Sequence, residues 1–239
     1  MAKQVNPELQ AYIEANILPL YDAFDMAHQQ DHARDVIRQS LNLAERLDVD
    51  VNMVYAIGAY HDTGLCEGRE HHHETSARII KNDNNLRKWF TEEQIAVMAE
   101  AAEDHRASLS KSRGADGGIG STNSTARHEP RSIYGRIVAD ADRHIDPITI
   151  IRRTIQFGLD HYPRMQPEAP SAPEALAEGH FKRMINHLHE KYGRNGYLRL
   201  WFEDSDNARQ LEKLRSMMDD EDMLRELFNR FYNQFDYSI

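Results

Sequence analysis

Apolar residues recur at helical spacing along most of the chain, and several of these stripes lead to a histidine. One stripe runs through Val54 and Ile57 to His61, and another runs through Met98 to His105. Residues three, four and seven positions apart share one face of an α-helix. Alternating β-branched patterns, which would indicate strands, are missing from the sequence. The sequence therefore predicts an all-α protein whose helices carry polar side chains on their buried faces.

Two further polar residues lie on or beside such stripes. Tyr134 and Val138 share a helix face with Asp142, in a pattern that predicts one continuous helix over 131–157. His32 lies one helical turn before another apolar stripe. These residues extend the set of polar side chains that the predicted helices direct toward the core.

Two segments of unusual composition divide the helical pattern. The stretch 108–130 is dense in Gly, Ser, Thr and Asn and almost free of large apolar side chains, which is typical of a loop. Four prolines between residues 163 and 173 stop helices and stiffen a connection. We therefore expect a helical domain at 1–162, which contains this loop, and a C-terminal helical extension at 163–239 packed on it.

The C-terminal extension carries a stripe of large apolar side chains at helical spacing. Its members are Met223, Leu227, Phe228, Phe231 and Phe235. Such a stripe is typical of a core or of a subunit interface. The C-terminal helices are therefore one expected route to a homo-oligomer.

Charge and composition exclude several classes of partner. A formal net charge of −10 disfavours nucleic acid, and no nucleic-acid-binding motif occurs. No apolar run reaches the roughly 18–20 residues of a membrane span, so no membrane partner is expected. The sequence begins without the basic and apolar stretches of a secretory signal. Cys66 is the single cysteine, so no intramolecular disulfide forms, and we expect a cytoplasmic protein.

The polar residues on the apolar stripes form a set that suits a metal site. One buried histidine alone is more often a hydrogen-bonded core residue. A buried carboxylate such as Asp142 is costly unless it is paired or bound to metal. Imidazole and carboxylate groups are common ligands of divalent metal ions. We expect one or two such ions, held by a set of five residues: His32, His61, Asp62, His105 and Asp142.

The order of these residues resembles the HD superfamily of metal-dependent phosphohydrolases. An isolated histidine, His32, precedes the doublet His61-Asp62 by 29 residues, and the distal Asp142 follows. The phrase AYHDTGL resembles the helix end that carries the doublet, and IVADADRH resembles the distal segment. The resemblance covers roughly residues 20–150. It implies an HD-type helical bundle that hydrolyses a small phosphorylated substrate, such as a nucleotide, with a divalent metal.

Additional histidines make the sequence similar to the branch of the superfamily whose members hold more than one metal ion. His72 lies four residues before Ser76-Ala77, which is similar to the His-xxx-Gly-Ala phrase of that branch, and His105 fits the next position. Leu65 replaces the lysine of HD-GYP phosphodiesterases and no Gly-Tyr-Pro follows, so cyclic dinucleotide cleavage is not expected. The resemblance implies a binuclear site with six ligands: His32, His61, Asp62, His72, His105 and Asp142.

Some choices within this set stay open at the level of sequence. His71 and His73 are alternatives to His72, because only the register separates the three. Asp140 is an alternative to Asp142, although the local context favours Asp142. The ligand types do not distinguish Mn, Fe, Zn, Mg or Ni, nor one ion from two.

Arginines beside the proposed ligands are the expected phosphate clamps, because a guanidinium binds phosphate oxygens in pairs. Each arginine alone is equally well explained as a surface salt bridge. Glu103 or Asp104 is either a partner of a ligand histidine or part of an acidic helix surface. The residues for which we predict catalytic roles are Asp62, Arg106 and Arg143.

The stretch 108–130 is either a surface insertion or a lid over the site. As a lid it would bring Lys111 and Arg113 to an anionic substrate. The predicted substrate-binding residues are Arg69, Arg106, Lys111 and Arg113.

Two other functions use the same type of ligand set. Some HD-fold proteins have a similar ligand set and are mixed-valent di-iron oxygenases that act on polyols or phosphonates. A non-catalytic helical module would keep the motif as a sensor of metal or nucleotide. Retention of every candidate ligand favours an enzyme, and the hydrolase is the prediction.

Overall fold

The computed structural model describes residues 4–24, 28–106, 129–161 and 173–235. Within these ranges the chain forms α-helices and short 3₁₀ helices and no strand, so the predicted all-α class is confirmed. The α-helices are Pro7–Asn16 (α1), Gln30–Ala44 (α2), Val51–Tyr60 (α3), His72–Asn82 (α4), Glu92–Asp104 (α5), Ile133–Ala141 (α6), Pro147–His161 (α7), Pro173–Tyr192 (α8), Asp206–Met218 (α9) and Glu221–Phe235 (α10). The 3₁₀ helices are Leu18–Ala23, Thr63–Glu67 and Asn84–Lys88.

The described residues divide into two compact units. The first unit takes the residues up to Arg143 together with 199–205, and the second takes the remainder. Helix α7 packs against α8, α9 and α10, so its contacts assign it to the second unit, although it precedes residue 162. The division into a domain at 1–162 and an extension at 163–239 stays a prediction.

The first unit is a bundle around α3. Every side chain from Met53 to Tyr60 is buried, because α2, α5 and α6 all contact this helix. Helix α4 packs on α5, and apolar residues of α1 to α6 complete the core. The C-terminal end of α3 therefore lies within the bundle rather than at its surface.

Side-chain caps fix where α3 and α5 begin. The Asp50 carboxylate accepts a hydrogen bond from the backbone N–H of Asn52 at 2.8 Å. Thr91 and Gln94 form a reciprocal capping box at the start of α5, with bonds of 3.3 and 2.9 Å. Each cap stabilises its helix by about 1 kcal/mol. Both helices end at a histidine, so the caps help to set where those histidines lie.

The prediction of one helix over 131–157 is wrong. Helix α6 ends at Ala141 and α7 begins at Pro147, with His144 between them in the left-handed region at φ +39°. Left-handed backbone ends a helix, and a proline at the first helical position can begin a new one. The break places Asp142 at a helix end instead of within a helix.

The second unit is formed by α7, α8, α9 and α10, which pack on one another. Phe228 and Phe231 are buried in it, and the Phe228 ring lies 5.3 Å from Phe181 and 4.9 Å from Tyr232 between centroids. These two members of the C-terminal stripe thus contribute to the core of the unit. Met223 of the same stripe is exposed, and the homo-oligomer stays a prediction. None of the described helices is long and apolar enough to cross a membrane.

Candidate metal centre

Each predicted metal ligand lies at or beside the end of a helix, and the structure brings all six side chains together. His32 lies in the first turn of α2, His61 and Asp62 directly follow α3, His72 begins α4, His105 directly follows α5, and Asp142 directly follows α6. Most of the set is buried from solvent. The ends of five helices thus converge on one small region of the first unit.

The first set of ligand atoms joins His32, His61, Asp62 and Asp142. The Nε2 atom of His32 lies 3.2 Å from Asp142 Oδ1 and 3.5 Å from Asp62 Oδ2. The Nε2 atom of His61 lies 3.3 Å from Asp62 Oδ2 and 3.2 Å from His32 Nε2. Two imidazoles and two carboxylates therefore surround a space of the size that one cation fills.

The second set of ligand atoms joins Asp62, His72 and His105. The other carboxylate oxygen, Asp62 Oδ1, lies 3.1 Å from His72 Nε2 and 3.4 Å from His105 Nε2. The two imidazole Nε2 atoms are 3.0 Å apart. Asp62 thus belongs to both sets and presents one oxygen to each.

Backbone carbonyls determine which nitrogen of three histidines faces the site. In each case Nδ1 donates a hydrogen bond to the carbonyl oxygen three residues earlier, so Nε2 carries the lone pair of the neutral ring. The bonds are His61 to Gly58 at 2.8 Å, His72 to Arg69 at 2.7 Å and His105 to Ala102 at 2.5 Å. Two such lone pairs 3.0 Å apart repel unless a cation lies between them. This donor set fits a divalent metal ion.

In the first set, two positively charged imidazole rings lie between two negatively charged carboxylates. Burial lowers the pKa of His32, but its hydrogen bonds to Asp142 and Asp62 outweigh burial and raise the pKa to about 9. Burial also lowers the pKa of His61, but the same two carboxylates outweigh it and raise this pKa to about 10. Burial would raise the pKa values of Asp62 and Asp142, but the histidines hold both below the ordinary value. In the absence of a metal, protons therefore supply the positive charge.

The stretch of the chain that contains this site matches a known protein family. Residues 30–145, which run from α2 to beyond α6 and include all six side chains, match the family model of the HD domain. This part of the chain is an HD domain. A comparison with curated proteins and one with solved structures gave no match. The resemblance in the sequence is confirmed, and the clustered histidines and aspartates of the HD domain are suited to bind a divalent metal.

Tyr21 supports the doublet of the HD domain from the short 3₁₀ helix before α2. Its hydroxyl donates a hydrogen bond to the Ala59 carbonyl at 2.9 Å and accepts one from the backbone N–H of Asp62 at 3.2 Å. Its ring centroid lies 6.3 Å from that of His61. Tyr21 was not predicted from the sequence, because a single aromatic residue outside the motif gives no signal of this contact.

Gly64 allows α4 to approach the doublet closely. Its backbone N–H donates a hydrogen bond to Ser76 Oγ at 2.9 Å. A Cβ at this position would lie 2.0 Å from the carbonyl oxygen of His72 and 2.6 Å from the backbone nitrogen of Ser76. Only glycine fits this space, and the fit brings His72 to Asp62.

The structure separates the three consecutive histidines. His72 faces Asp62, whereas the side chain of His71 is 59% exposed and its ring nitrogens face Glu70 and Glu74. The ring of His73 is largely buried, at 16% exposure. Burial, followed by electrostatic interactions with His105 and Arg106, lowers the pKa of His73 to about 4. His72 is therefore the member of the triplet whose side chain lies with Asp62 and His105.

Asp140 and Asp142 point to different parts of the first unit. The Asp140 carboxylate accepts hydrogen bonds from the backbone N–H groups of Trp201 at 2.9 Å and Phe202 at 3.2 Å. Burial raises its pKa above the ordinary value, although these bonds and Arg143 act in the opposite direction. Asp140 thus anchors the segment 199–205, while Asp142 faces the histidines.

The predicted phosphate-binding side chains differ in their placement. Arg69 and Arg106 are exposed, and Arg106 Nη1 donates a hydrogen bond to the Glu70 carbonyl at 3.2 Å. The Arg143 guanidinium lies 5.9 Å from the centre of the Trp201 ring, on the Asp140 side of α6. Lys111 and Arg113 lie outside the described residues, as does nearly all of the predicted loop at 108–130.

An ion pair that was not predicted from the sequence joins the buried Asp104 at the end of α5 to Arg131, whose side chain is 41% exposed and lies just before α6. Asp104 is fully buried, so it does not form helix surface. Its carboxylate accepts hydrogen bonds from the Arg131 backbone N–H at 2.7 Å, from Nε at 3.1 Å and from Nη2 at 2.8 Å. Arg131 also contacts the partly exposed Glu103, with Nη2 and Oε2 2.9 Å apart. The pair holds the helix end that carries His105 against the region that leads to Asp142.

Proposed function

We propose that the protein is a metal-dependent phosphohydrolase that holds two divalent ions and acts on a nucleotide or another small phosphate ester or anhydride. The observation that carries this proposal is the position of Asp62, whose two oxygens face two separate sets of ligands. A carboxylate shared in this way is typical of two-metal hydrolytic sites. The HD domain supports the proposal, because the superfamily consists largely of metal-dependent phosphohydrolases.

The proposal assigns Asp62 to both ions and every other ligand to one ion. His32, His61, Asp62 and Asp142 would hold the first, and Asp62, His72 and His105 would hold the second. When bound, two such ions lower the pKa of a shared water and neutralise charge on phosphate oxygens. The second set contributes only three protein atoms, so it leaves more room for substrate or water than the first.

The surrounding side chains would bind and orient the substrate. Arg106 follows the ligand His105, and Arg69 supplies the carbonyl that orients His72, so both lie beside the second set. Guanidinium groups at this edge would bind phosphoryl oxygens and favour the anionic substrate. Arg143 is less well placed, because its guanidinium would have to leave Trp201 to reach the site. Catalytic roles for Asp62 and Arg106 are therefore part of the proposal, and the role of Arg143 stays a prediction.

Metal content measured by mass spectrometry tests the two sets separately. We expect two ions per chain in the wild-type protein, about one in Asp142→Asn and in His72→Ala, and none in Asp62→Ala. His71→Ala is the matched control for His72→Ala, and Asp140→Asn is the control for Asp142→Asn. Both controls should keep two ions, because neither side chain faces a ligand set. Loss of metal in the controls but not in the ligand variants would contradict the assignment.

A screen of nucleotides and phosphate esters tests the reaction. We expect release of nitrophenolate from bis-p-nitrophenyl phosphate in the presence of Mn²⁺, and loss of that release in Asp62→Ala. Oxygen uptake with a polyol, together with a mixed-valent iron spectrum and no phosphate chemistry, would replace the hydrolase with a di-iron oxygenase. Metal binding without turnover of any substrate class would instead favour the sensor module.

A further inference from the structure

The third histidine of the triplet lies against the second ligand set without belonging to it. His73 is the second residue of α4, directly after the ligand His72. Its ring centroid lies 5.9 Å from that of His72 and 6.5 Å from that of His105. The side chain is 16% exposed, so the ring forms part of the wall beside this set rather than free surface.

The Nδ1 atom of His73 is buried and has no hydrogen-bond partner among the residues that the structure describes. The other ring nitrogen, Nε2, lies 3.7 Å from Glu74 Oε1. Buried polar atoms in proteins nearly always have a hydrogen-bond partner. A buried ring nitrogen that lies beside a ligand set and has no partner among the described residues is suited to hydrogen-bond with a bound group.

The charge around His73 indicates which kind of partner this is. The positive charge of Arg106 acts on the His73 ring, the carboxylate of Glu74 opposes it, and a metal ion held by the second ligand set would add positive charge beside the ring. Positive charge disfavours a further cation at this position and favours an anion. A phosphoryl oxygen accepts hydrogen bonds both from an imidazole N–H and from a guanidinium.

We propose that His73 binds a phosphoryl oxygen of the substrate through Nδ1–H, as a binding residue and not as a metal ligand. The proposal rests on the proposed phosphohydrolase function and extends it to a named substrate contact. Arg106, which the sequence analysis also assigns to substrate, would contact the same phosphoryl group. The triplet thus divides into an exposed residue, a metal ligand and a substrate contact.

Binding of inorganic phosphate to the Mn²⁺-loaded protein tests this role independently of turnover. In His73→Ala we expect calorimetry to show affinity for phosphate weakened by about tenfold or more, the size typical of a hydrogen bond to a charged group. The KM for bis-p-nitrophenyl phosphate should rise more than kcat falls, and manganese content should stay at the wild-type value. His73→Asn should recover part of the affinity, because its amide N–H can occupy the place of Nδ1.

His71→Ala is the matched control, because it removes a neighbouring histidine that is exposed and faces away from the site. It should leave phosphate affinity, KM and manganese content unchanged. A fall in manganese content in His73→Ala would make His73 a ligand and overturn the proposal. Wild-type affinity and KM in that variant would overturn it while leaving the hydrolase intact. A wild-type protein that neither binds phosphate nor hydrolyses any ester would overturn both proposals.

Discussion

Replacement of Gly64 with alanine should separate α4 from the doublet. The new Cβ would lie 2.0 Å from the carbonyl oxygen of His72 and 2.8 Å from the Cβ of Thr75. Real Cβ atoms essentially never approach other heavy atoms within 3.0 Å, and the nearest atom belongs to backbone. The start of α4 must therefore move by roughly 1 Å, the difference between 3.0 and 2.0 Å.

A displacement of this size is large compared with the tolerance of a metal site. His72 Nε2 lies 3.1 Å from Asp62 Oδ1 and 3.0 Å from His105 Nε2, and metal–ligand distances vary by only about 0.2 Å. Overpacking costs about 1–3 kcal/mol, and loss of the buried bond from Gly64 to Ser76 Oγ adds about 1 kcal/mol. We expect the free energy of unfolding to fall by about 2–4 kcal/mol and the second ion to be lost.

The assay is manganese content per chain, together with urea unfolding of the metal-free protein. The first ion should remain, because His32, His61 and Asp142 do not belong to α4. Gly179→Ala in α8 is the control: a Cβ there meets nothing within 4 Å, so unfolding should become harder by about 0.5–1 kcal/mol with metal content unchanged. Two ions bound with wild-type affinity by Gly64→Ala would refute the reasoning.

Two further predictions concern proton release on metal binding and the ion pair between Asp104 and Arg131. With pKa values of about 9 and 10, His32 and His61 are protonated at neutral pH, so Mn²⁺ binding should release protons and weaken as pH falls below 9. Calorimetry in buffers of different ionisation enthalpy measures this, and pH-independent affinity would contradict it. Arg131→Ala removes the guanidinium that donates hydrogen bonds to the buried Asp104 carboxylate, and it should lower the free energy of unfolding by about 1–3 kcal/mol. Glu103→Gln removes the negative charge of a partly exposed partner of the same arginine and should change the free energy of unfolding in urea by less than about 1 kcal/mol.

The helical class and the candidate ligands could be predicted because both follow from the helical spacing of apolar residues in the sequence. Apolar positions three or four residues apart mark a buried face, and a histidine at the end of such a stripe, as at His61 and His105, lies inside the bundle. The break after Asp142 could not be predicted in this way. The apolar stripe continues to Ile145, and Pro147 is compatible with the start of a helix as well as with a turn. The left-handed backbone of His144 ends α6 and leaves no signal in the stripe.

Contacts between distant parts of the chain explain the rest of what the sequence did not reveal. Tyr21 binds the backbone of Asp62 across 41 residues, and Arg131 binds Asp104 across 27. The choice between two nearby carboxylates has the same origin. Asp140 lies two positions before Asp142, so the two point about 200° apart on a helix. The segment 199–205 covers the first, and only the folded chain shows that.

The placement of ligands at helix ends gives the site a physical basis for its geometry. The last carbonyl groups of a helix have no partner within it. A histidine that directly follows the helix, as His61 and His105 do, can donate Nδ1–H to such a carbonyl. One hydrogen bond then satisfies the backbone, selects the tautomer and directs Nε2 to the candidate metal site. Asp62 is held differently, because its backbone N–H donates a hydrogen bond to the hydroxyl of Tyr21. Its two oxygens therefore stay available to both sets, which is the property that a shared ligand requires.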